Sequence, residues 1–220
     1  MKPRCTPDET RDRIVRAAGE VFGAHGYNGT TVRQITDKAG VNIAAVNYYF
    51  RDKAELYHRV LREAKCWAHD LTALELSGCP EEQLREYIFA FVRMLLDPNR
   101  PAWHVQVITQ EMLNPTAALD MLLRELTEPI FHRIRSLIGT MTKGTLSDMQ
   151  LDLLASSIMG QCLFYVRSRP LIERLAPELN AGPDRVDHIA GHIASFSLTA
   201  LSGLFHKTLS PAASTAPIAS

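Results

Sequence analysis

The chain has 220 residues, 46% of them hydrophobic and 22% charged, and its 24 basic and 24 acidic side chains cancel. That composition belongs to a globular chain able to bury a core; no run of about 18 apolar residues exists, so no membrane span is expected. The first eight residues carry no apolar segment of the kind a secretory signal needs, and Cys5, Cys66, Cys79 and Cys162 are far apart with no Cys-x-x-Cys, which points to a reducing, cytoplasmic setting without a disulfide framework.

Apolar spacing is helical nearly throughout. Ile14, Val15, Ala18, Val21 and Phe22 line one face of a first helix, which Gly23 and Gly26 can end. "GYNGTT" (Gly26–Thr31) has turn chemistry and a Thr N-cap. "TVRQITDKAG" (Thr31–Gly40) then makes a short helix stopped by Gly40. Asn42 can cap the next, "IAAVNYYF", and Asp52 a long one over Lys53–Leu76. Further helices are expected up to Leu96, up to Leu113, and from "NPT" (Asn114–Thr116), the last kinked or restarted at Pro129. A helix ending near Arg169, a connector (Arg169–Asp184) with a helical turn, and a final helix over Arg185–His206 follow. No strand period and no repeat is visible. The fold class is therefore all-α: a three-helix, helix-turn-helix head (1–52), continuous with a larger helical bundle (53–208). A low-complexity, disordered tail (209–220) is expected after it.

Charge is uneven along this chain. Up to Lys65 there are 12 Lys and Arg against 8 Asp and Glu; the remainder holds 12 against 16. A basic head on an acidic body fits an anion-binding module, although chance asymmetry gives the same count. Within residues 31–50 the dimensions are those of a helix-turn-helix. Val32, Ile35 and Ala39 point inward, Gly40 supplies the turn, and Val41, Val46 and Phe50 anchor the second helix. Ile43, Ala44, Ala45, Asn47 and Tyr48 remain on its other faces. Small side chains suit a helix that presses close to a surface. Asn bonds bidentately to adenine and apolar groups touch the thymine methyl, while Tyr, Thr and Lys serve phosphates. Arg33 and Lys53 flank the helix to neutralise phosphate. A helical hairpin with a solvated polar face has the same spacing.

The residues "IVRAAGEVFGAHGYNGTTVRQITDKAGVNIAAVNYYFRDKAELY", within Arg11–Leu56, resemble the DNA-binding head of the TetR family of bacterial regulators. The resemblance implies phosphate contacts from Thr30 or Thr31, Tyr48 and Lys53. It places Ile43, Ala44, Ala45, Asn47 and Tyr49 near base edges or the adjacent backbone, beside the capping Asn42. Many members have Gly-Thr where this chain has Ala44-Ala45, and Tyr where it has Asn47, so that threonine's phosphate contact is absent here. In the body, "AWHVQVITQEMLNPTAALDMLLRELTEPIFHRI" and "IMGQCLFYVRSRPLIERL" resemble the C-terminal domain of the CecR-like subgroup, which implies effector binding and dimerisation.

A pocket in the body is expected to be mostly apolar with few polar groups. Trp67, Phe89, Trp103, Met112, Phe131, Phe164 and Tyr165 are candidates for its wall, and His104, Gln110, Glu111, Arg135 and Gln161 for its polar contacts. Core packing and solvated surface are the competing readings for each. Ile158, Cys162, Ile189, Ile193 and Phe196 are candidates for a buried dimer interface. His188 and His192 have metal-ligand spacing, but two ligands do not make a site, so no metal and no cofactor is expected. Cys66-x-x-His69 lacks a clear activating neighbour beyond Lys65. No catalytic motif organises the Ser, His and Asp residues. The expectation is a cytoplasmic, homodimeric regulator, most simply a repressor, with double-stranded operator DNA, a second copy and a small-molecule effector as partners; no membrane and no enzymatic activity are expected. The alternative is a ligand-independent DNA-binding protein, or an activator, whose body only dimerises.

Overall fold

The computed structural model describes residues 7–209, which form helices joined by loops, with no strand among them. The tail expected to be disordered lies, from residue 210 onward, outside the described residues. The helices are α1 (Pro7–His25), α2 (Val32–Ala39), α3 (Ile43–Phe50), α4 (Lys53–Cys66), α5 (His69–Thr72), α6 (Pro80–Leu96) and α7 (Ala102–Leu113). They continue with α8 (Leu119–Leu122), α9 (Glu128–Met141), α10 (Asp148–Arg167), α11 (Arg169–Leu175) and α12 (Arg185–Leu209). A π turn, Leu123–Thr127, joins α8 to α9. Pro129 explains it: proline brings no N–H and its ring crowds the carbonyl four residues back, so the helix widens rather than ending.

Contacts divide the chain into two units. The first comprises the described residues to Leu74 and Met94–Ile130; the second comprises Glu75–Arg93 and the described residues from Phe131. In the first unit the core of the three-helix head does not close at residue 52. Ile14 and Phe22 of α1, Ile35 of α2 and Val46 of α3 share it with Leu56 and Val60 of α4 and Val107 of α7. Each such side chain removed from water contributes roughly 1.5–3 kcal/mol. The contact between α1 and α7 is close because Gly19 leaves room for an indole. A Cβ on Gly19 would lie 2.3 Å from Trp103 Cε3, and one on Gly23 3.0 Å from Gln106 Cβ.

The long helix expected from Lys53 to Leu76 ends at Cys66. The Ala64 carbonyl, which would accept the Ala68 N–H, takes Arg100 Nη2 at 3.3 Å. Ala68 N–H turns to Lys65 O instead, at 2.8 Å. A residue remote in sequence thus caps this helix, and no local signal announces the stop. The connector after α10 holds more structure than one turn: α11 and a 3-10 segment, Pro177–Asn180.

In the second unit α10 and α12 pack on each other. Ile158, Cys162, Ile189 and Ile193, expected at a dimer interface, are buried inside this unit's own core, whereas Phe196 is 57% exposed. Both helices are apolar on two faces, and periodicity alone does not separate the inner face from the outer. Arg135, a candidate for ligand contact, forms ion pairs with Asp148 and Asp152 across α9 and α10.

Candidate functional site

The helix-turn-helix is fixed by three caps and one glycine. Thr31 and Gln34 form a reciprocal capping box at α2, with Thr31 N–H donating to Gln34 Oε1 at 2.7 Å and Gln34 N–H to Thr31 Oγ1 at 3.2 Å. Gly40, at φ 63°, ends α2 in the left-handed region that glycine enters at little cost. Asn42 Oδ1 accepts the Ala45 N–H at 2.9 Å and starts α3. Asp52 Oδ1 accepts the Glu55 N–H at 2.8 Å and starts α4; that bond, with Arg51 beside it, holds the Asp52 carboxyl below its usual range. Each cap contributes on the order of 1 kcal/mol.

Val46 and Phe50 pin α3 to the core. Ala45 and Tyr49 lie half-buried against it, as does Val41 in the turn. What remains outward is a strip of Ile43, Ala44, Asn47 and Tyr48. Tyr48 is 82% exposed and Ile43 51%, high values for apolar side chains on a helix that has a core available. Tyr48 stands edge-on to Tyr49, ring centroids 5.0 Å apart, which stiffens it without hiding it. The strip carries no charge. Cations flank it: Arg33 is exposed and weakly paired with Asp37 at 3.9 Å, and the Lys53 ammonium sits 4.2 Å from the Tyr27 ring centroid. Burial lowers the Lys53 pKa from its usual value.

Thr30 belongs elsewhere. It is buried, and its hydroxyl donates to Gly26 O at 2.7 Å. It closes the α1–α2 loop from inside, with its hydroxyl turned away from solvent. The "Thr-Thr" pair in the sequence thus divides into an inner loop clamp and an outer helix cap, a distinction that its spacing does not carry.

The residues considered for ligand contact fall into both units. In the first, His104 is buried between two indoles, its ring 4.0 Å from that of Trp103 and 5.7 Å from that of Trp67. Glu111 is fully buried and bonded: Tyr57 Oη donates to Oε2 at 2.8 Å, and Thr116 N–H to Oε1 at 2.8 Å. Burial first, and then this carboxylate, push the Tyr57 phenol well above its usual range. Tyr57 in turn packs on Phe22 and Tyr27. A path of direct contacts therefore runs from Lys53 through Tyr27 and Tyr57 to Glu111 and the turn after α7. Sequence inspection singled out Glu111 but gave no sign of Tyr57, its partner 54 residues away. Gln110 accepts from Asn114 Nδ2 at 3.3 Å, and Met112 is half-buried. In the second unit Phe89, Phe131, Gln161 and Tyr165 are half-buried and Phe164 is 47% exposed.

An open cleft of about 490 Å³ is lined by Arg16, Glu20, Pro101, Ala102, Trp103 and Gln106. Trp103 alone among the ligand candidates reaches it. No cluster of three or more metal-ligating side chains occurs among the described residues; His188 and His192 are exposed. Cys66 is exposed and donates to Arg62 O, while burial pushes the Cys162 thiol up to about 12, where it is inert at neutral pH. No described helix is long and apolar enough to cross a membrane.

A capped helix-turn-helix with an uncharged, exposed second helix and flanking cations defines a DNA-binding transcriptional regulator. The chain belongs to the TetR family of bacterial regulatory proteins, with a C-terminal domain of the CecR type: the tetR-family model matches residues 14–60 and the CecR C-terminal domain model residues 80–201. It is similar to the HTH-type transcriptional dual regulator CecR of Shigella flexneri, 27% identical over 174 residues, 72% of this chain and 76% of that protein. It is likewise similar to the regulator RutR of Escherichia coli, 29% identical over 163 residues, 73% of this chain and 75% of that one. Among solved structures, a putative fatty acid metabolism regulator of Clostridium perfringens shares the fold at TM-score 0.65 and 24% identity, covering 85% of this chain and 97% of that one. A TetR-like regulator of Rhodococcus does so at TM-score 0.64 and 18% identity, covering 91% and 100%. The matched proteins are transcriptional regulators, not enzymes.

Proposed function

We propose that this chain is a homodimeric repressor that holds a near-palindromic operator and releases it when a small effector binds. The observation that carries this reading is the α3 strip of Ile43, Ala44, Asn47 and Tyr48, exposed although a core lies behind the helix. In the bacterial cytoplasm α3 enters the major groove. Asn47 and Ile43 meet base edges, Tyr48 and Thr31 meet phosphates, and Arg33 and Lys53 neutralise the flanks. Residues 1–52 act as the reading head and residues 53–208 as the part that dimerises and senses. Proteins of this family bind DNA and dimerise, and the "dual regulator" in CecR's name belongs to that relative.

An exposed apolar stripe supports the dimer. Met149, Leu153 and Phe164 follow one face of α10, with Ser157 and Gly160 between them, and Phe196 and Leu204 lie on α12. A two-fold mate covers these faces in a four-helix arrangement and sets two α3 helices about one DNA turn apart. Effector response is supported by α4 and α7, which both pack on α1. A ligand that alters their packing shifts head spacing by its differential affinity for the two states.

Selection of duplexes from a random-sequence pool by the full chain tests this. The reading predicts enrichment of an inverted repeat with half-site centres about one helical turn apart; recovery of sequences without two-fold symmetry contradicts it. Phe196→Asp is expected to stay folded and sediment as a monomer. Ile189→Asp, which places a charge in the unit's own core, is expected to unfold the chain, at a cost above about 4 kcal/mol.

A further inference from the structure

We infer that the pair of indoles around His104, together with Arg100, forms a receptor for a small organic carboxylate. This inference rests on the reading of the chain as an effector-responsive regulator and names the chemistry of its effector.

Two nitrogens of this cluster are buried without a hydrogen-bond partner: His104 Nδ1 and Arg100 Nε. His104 is only 3% exposed. The remaining nitrogens of Arg100 donate to neutral carbonyls over long distances, Nη1 to Met94 O at 3.4 Å and Nη2 to Ala64 O at 3.3 Å. Asp97 is near enough to be felt by Arg100 but accepts from the Asn99 N–H at 2.9 Å, and no ion pair with Arg100 occurs among the described residues. A guanidinium partly withdrawn from water, with no direct ion pair and long bonds to neutral carbonyls, is only partly compensated. The surroundings record the strain on both groups. Burial brings Arg100 down to about 10, and burial together with the Arg100 charge brings His104 down to about 4. An anion between them relieves both.

The shape narrows the class. Two donors, one on a flat guanidinium and one on an imidazole, match the two oxygens of a carboxylate. The neighbouring surface is flat and apolar: both indoles pack on His104, and Trp67, 36% exposed, is the one open to solvent, whereas Trp103 is buried. Both donors lie at the N-terminal end of α7, where Pro101 supplies no side-chain cap and the helix dipole favours negative charge. The ligand therefore carries an apolar body that lies on the exposed Trp67 indole and a carboxylate that reaches Arg100. Because Arg100 also caps α4, its engagement by an anion acts on the end of the helix that begins beside the DNA-reading strip.

Trp67 and Trp103 are the chain's two tryptophans, so fluorescence excited at the red edge, where tyrosine does not absorb, reports on this cluster. Sodium benzoate, its neutral isostere benzamide and inorganic phosphate are titrated at constant ionic strength. Benzoate is expected to give a saturable change, with benzamide and phosphate at least about tenfold weaker. Arg100→Gln is expected to weaken benzoate about tenfold or more and leave benzamide unaffected, and Arg100→Lys to retain benzoate binding. As Arg100→Gln also removes a helix cap, a second measurement avoids the variant: benzoate, unlike benzamide, raises the melting temperature of the unaltered protein. Indistinguishable benzoate and benzamide curves, or full benzoate affinity in folded Arg100→Gln, overturn the inference. Duplex binding by the same preparation separates the two claims. If DNA binds and benzoate does not, the ligand class is wrong. If benzoate binds without changing DNA affinity, the anion site stands and its effector role falls. If no DNA binds, the regulator reading itself fails.

Discussion

Helices α3 and α7 contrast sharply in how their composition relates to their burial. α3 is "IAAVNYYF", apolar and aromatic, yet it turns Ile43 and Tyr48 to solvent. α7 carries His104 and Glu111, yet it hides both, Glu111 completely. Polarity of the residue does not decide exposure in either helix; the available partners do. α3 needs only Val46 and Phe50 to hold it, which leaves a neutral strip free for a nucleic acid. α7 is enclosed by α1 and α4, so its polar groups need protein partners: Glu111 finds three donors on Tyr57 and Thr116, and His104 Nδ1 finds none.

The contrast is broken most strongly at Glu111. Glu111→Ala leaves the Tyr57 hydroxyl and the Thr116 N–H without an acceptor, and is expected to lower stability by about 3 kcal/mol in urea unfolding. An unchanged midpoint means that the buried carboxylate is not what joins α7 to α4. Gly19→Ala comes next. Its Cβ meets the Trp103 ring, and overpacking of this kind costs about 1–3 kcal/mol. A shift in tryptophan emission is expected with it, because the indole must move. Tyr48→Ala has the smallest expected effect on folding, within about 0.5 kcal/mol, since the ring it removes is mostly solvated. A large loss of stability there makes Tyr48 part of the fold and removes the main argument for the strip.

The same contrast explains what the sequence revealed. The head was legible because its signals are local: Thr31 with Gln34, Gly40, Asn42 and Asp52 each act within three or four residues. The exposed strip followed from the positions of Val46 and Phe50. Thr30 was misplaced although its partner, Gly26 O, is only four residues back, because two adjacent threonines give no sign of which hydroxyl turns into the core and which stays outside. The end of α4 depends on Arg100, and the burial of Glu111 on Tyr57; both are contacts between distant segments. Four of the five residues considered for the dimer, all but Phe196, are buried within their own unit for another reason. α10 and α12 are apolar on two sides, and Ile158 and Ile189 proved to face inward where Met149, Leu153 and Phe196 face out.

On the proposed reading, the neutral strip on α3 meets DNA while contributing little to stability. Fluorescence anisotropy of Asn47→Ala on a duplex selected by the unaltered chain, with its melting temperature measured alongside, tests this most directly. A loss of about 1–3 kcal/mol in affinity for that duplex, a reduced preference over scrambled DNA and an unchanged melting temperature are expected. Equal affinity and equal preference in the folded variant would contradict it.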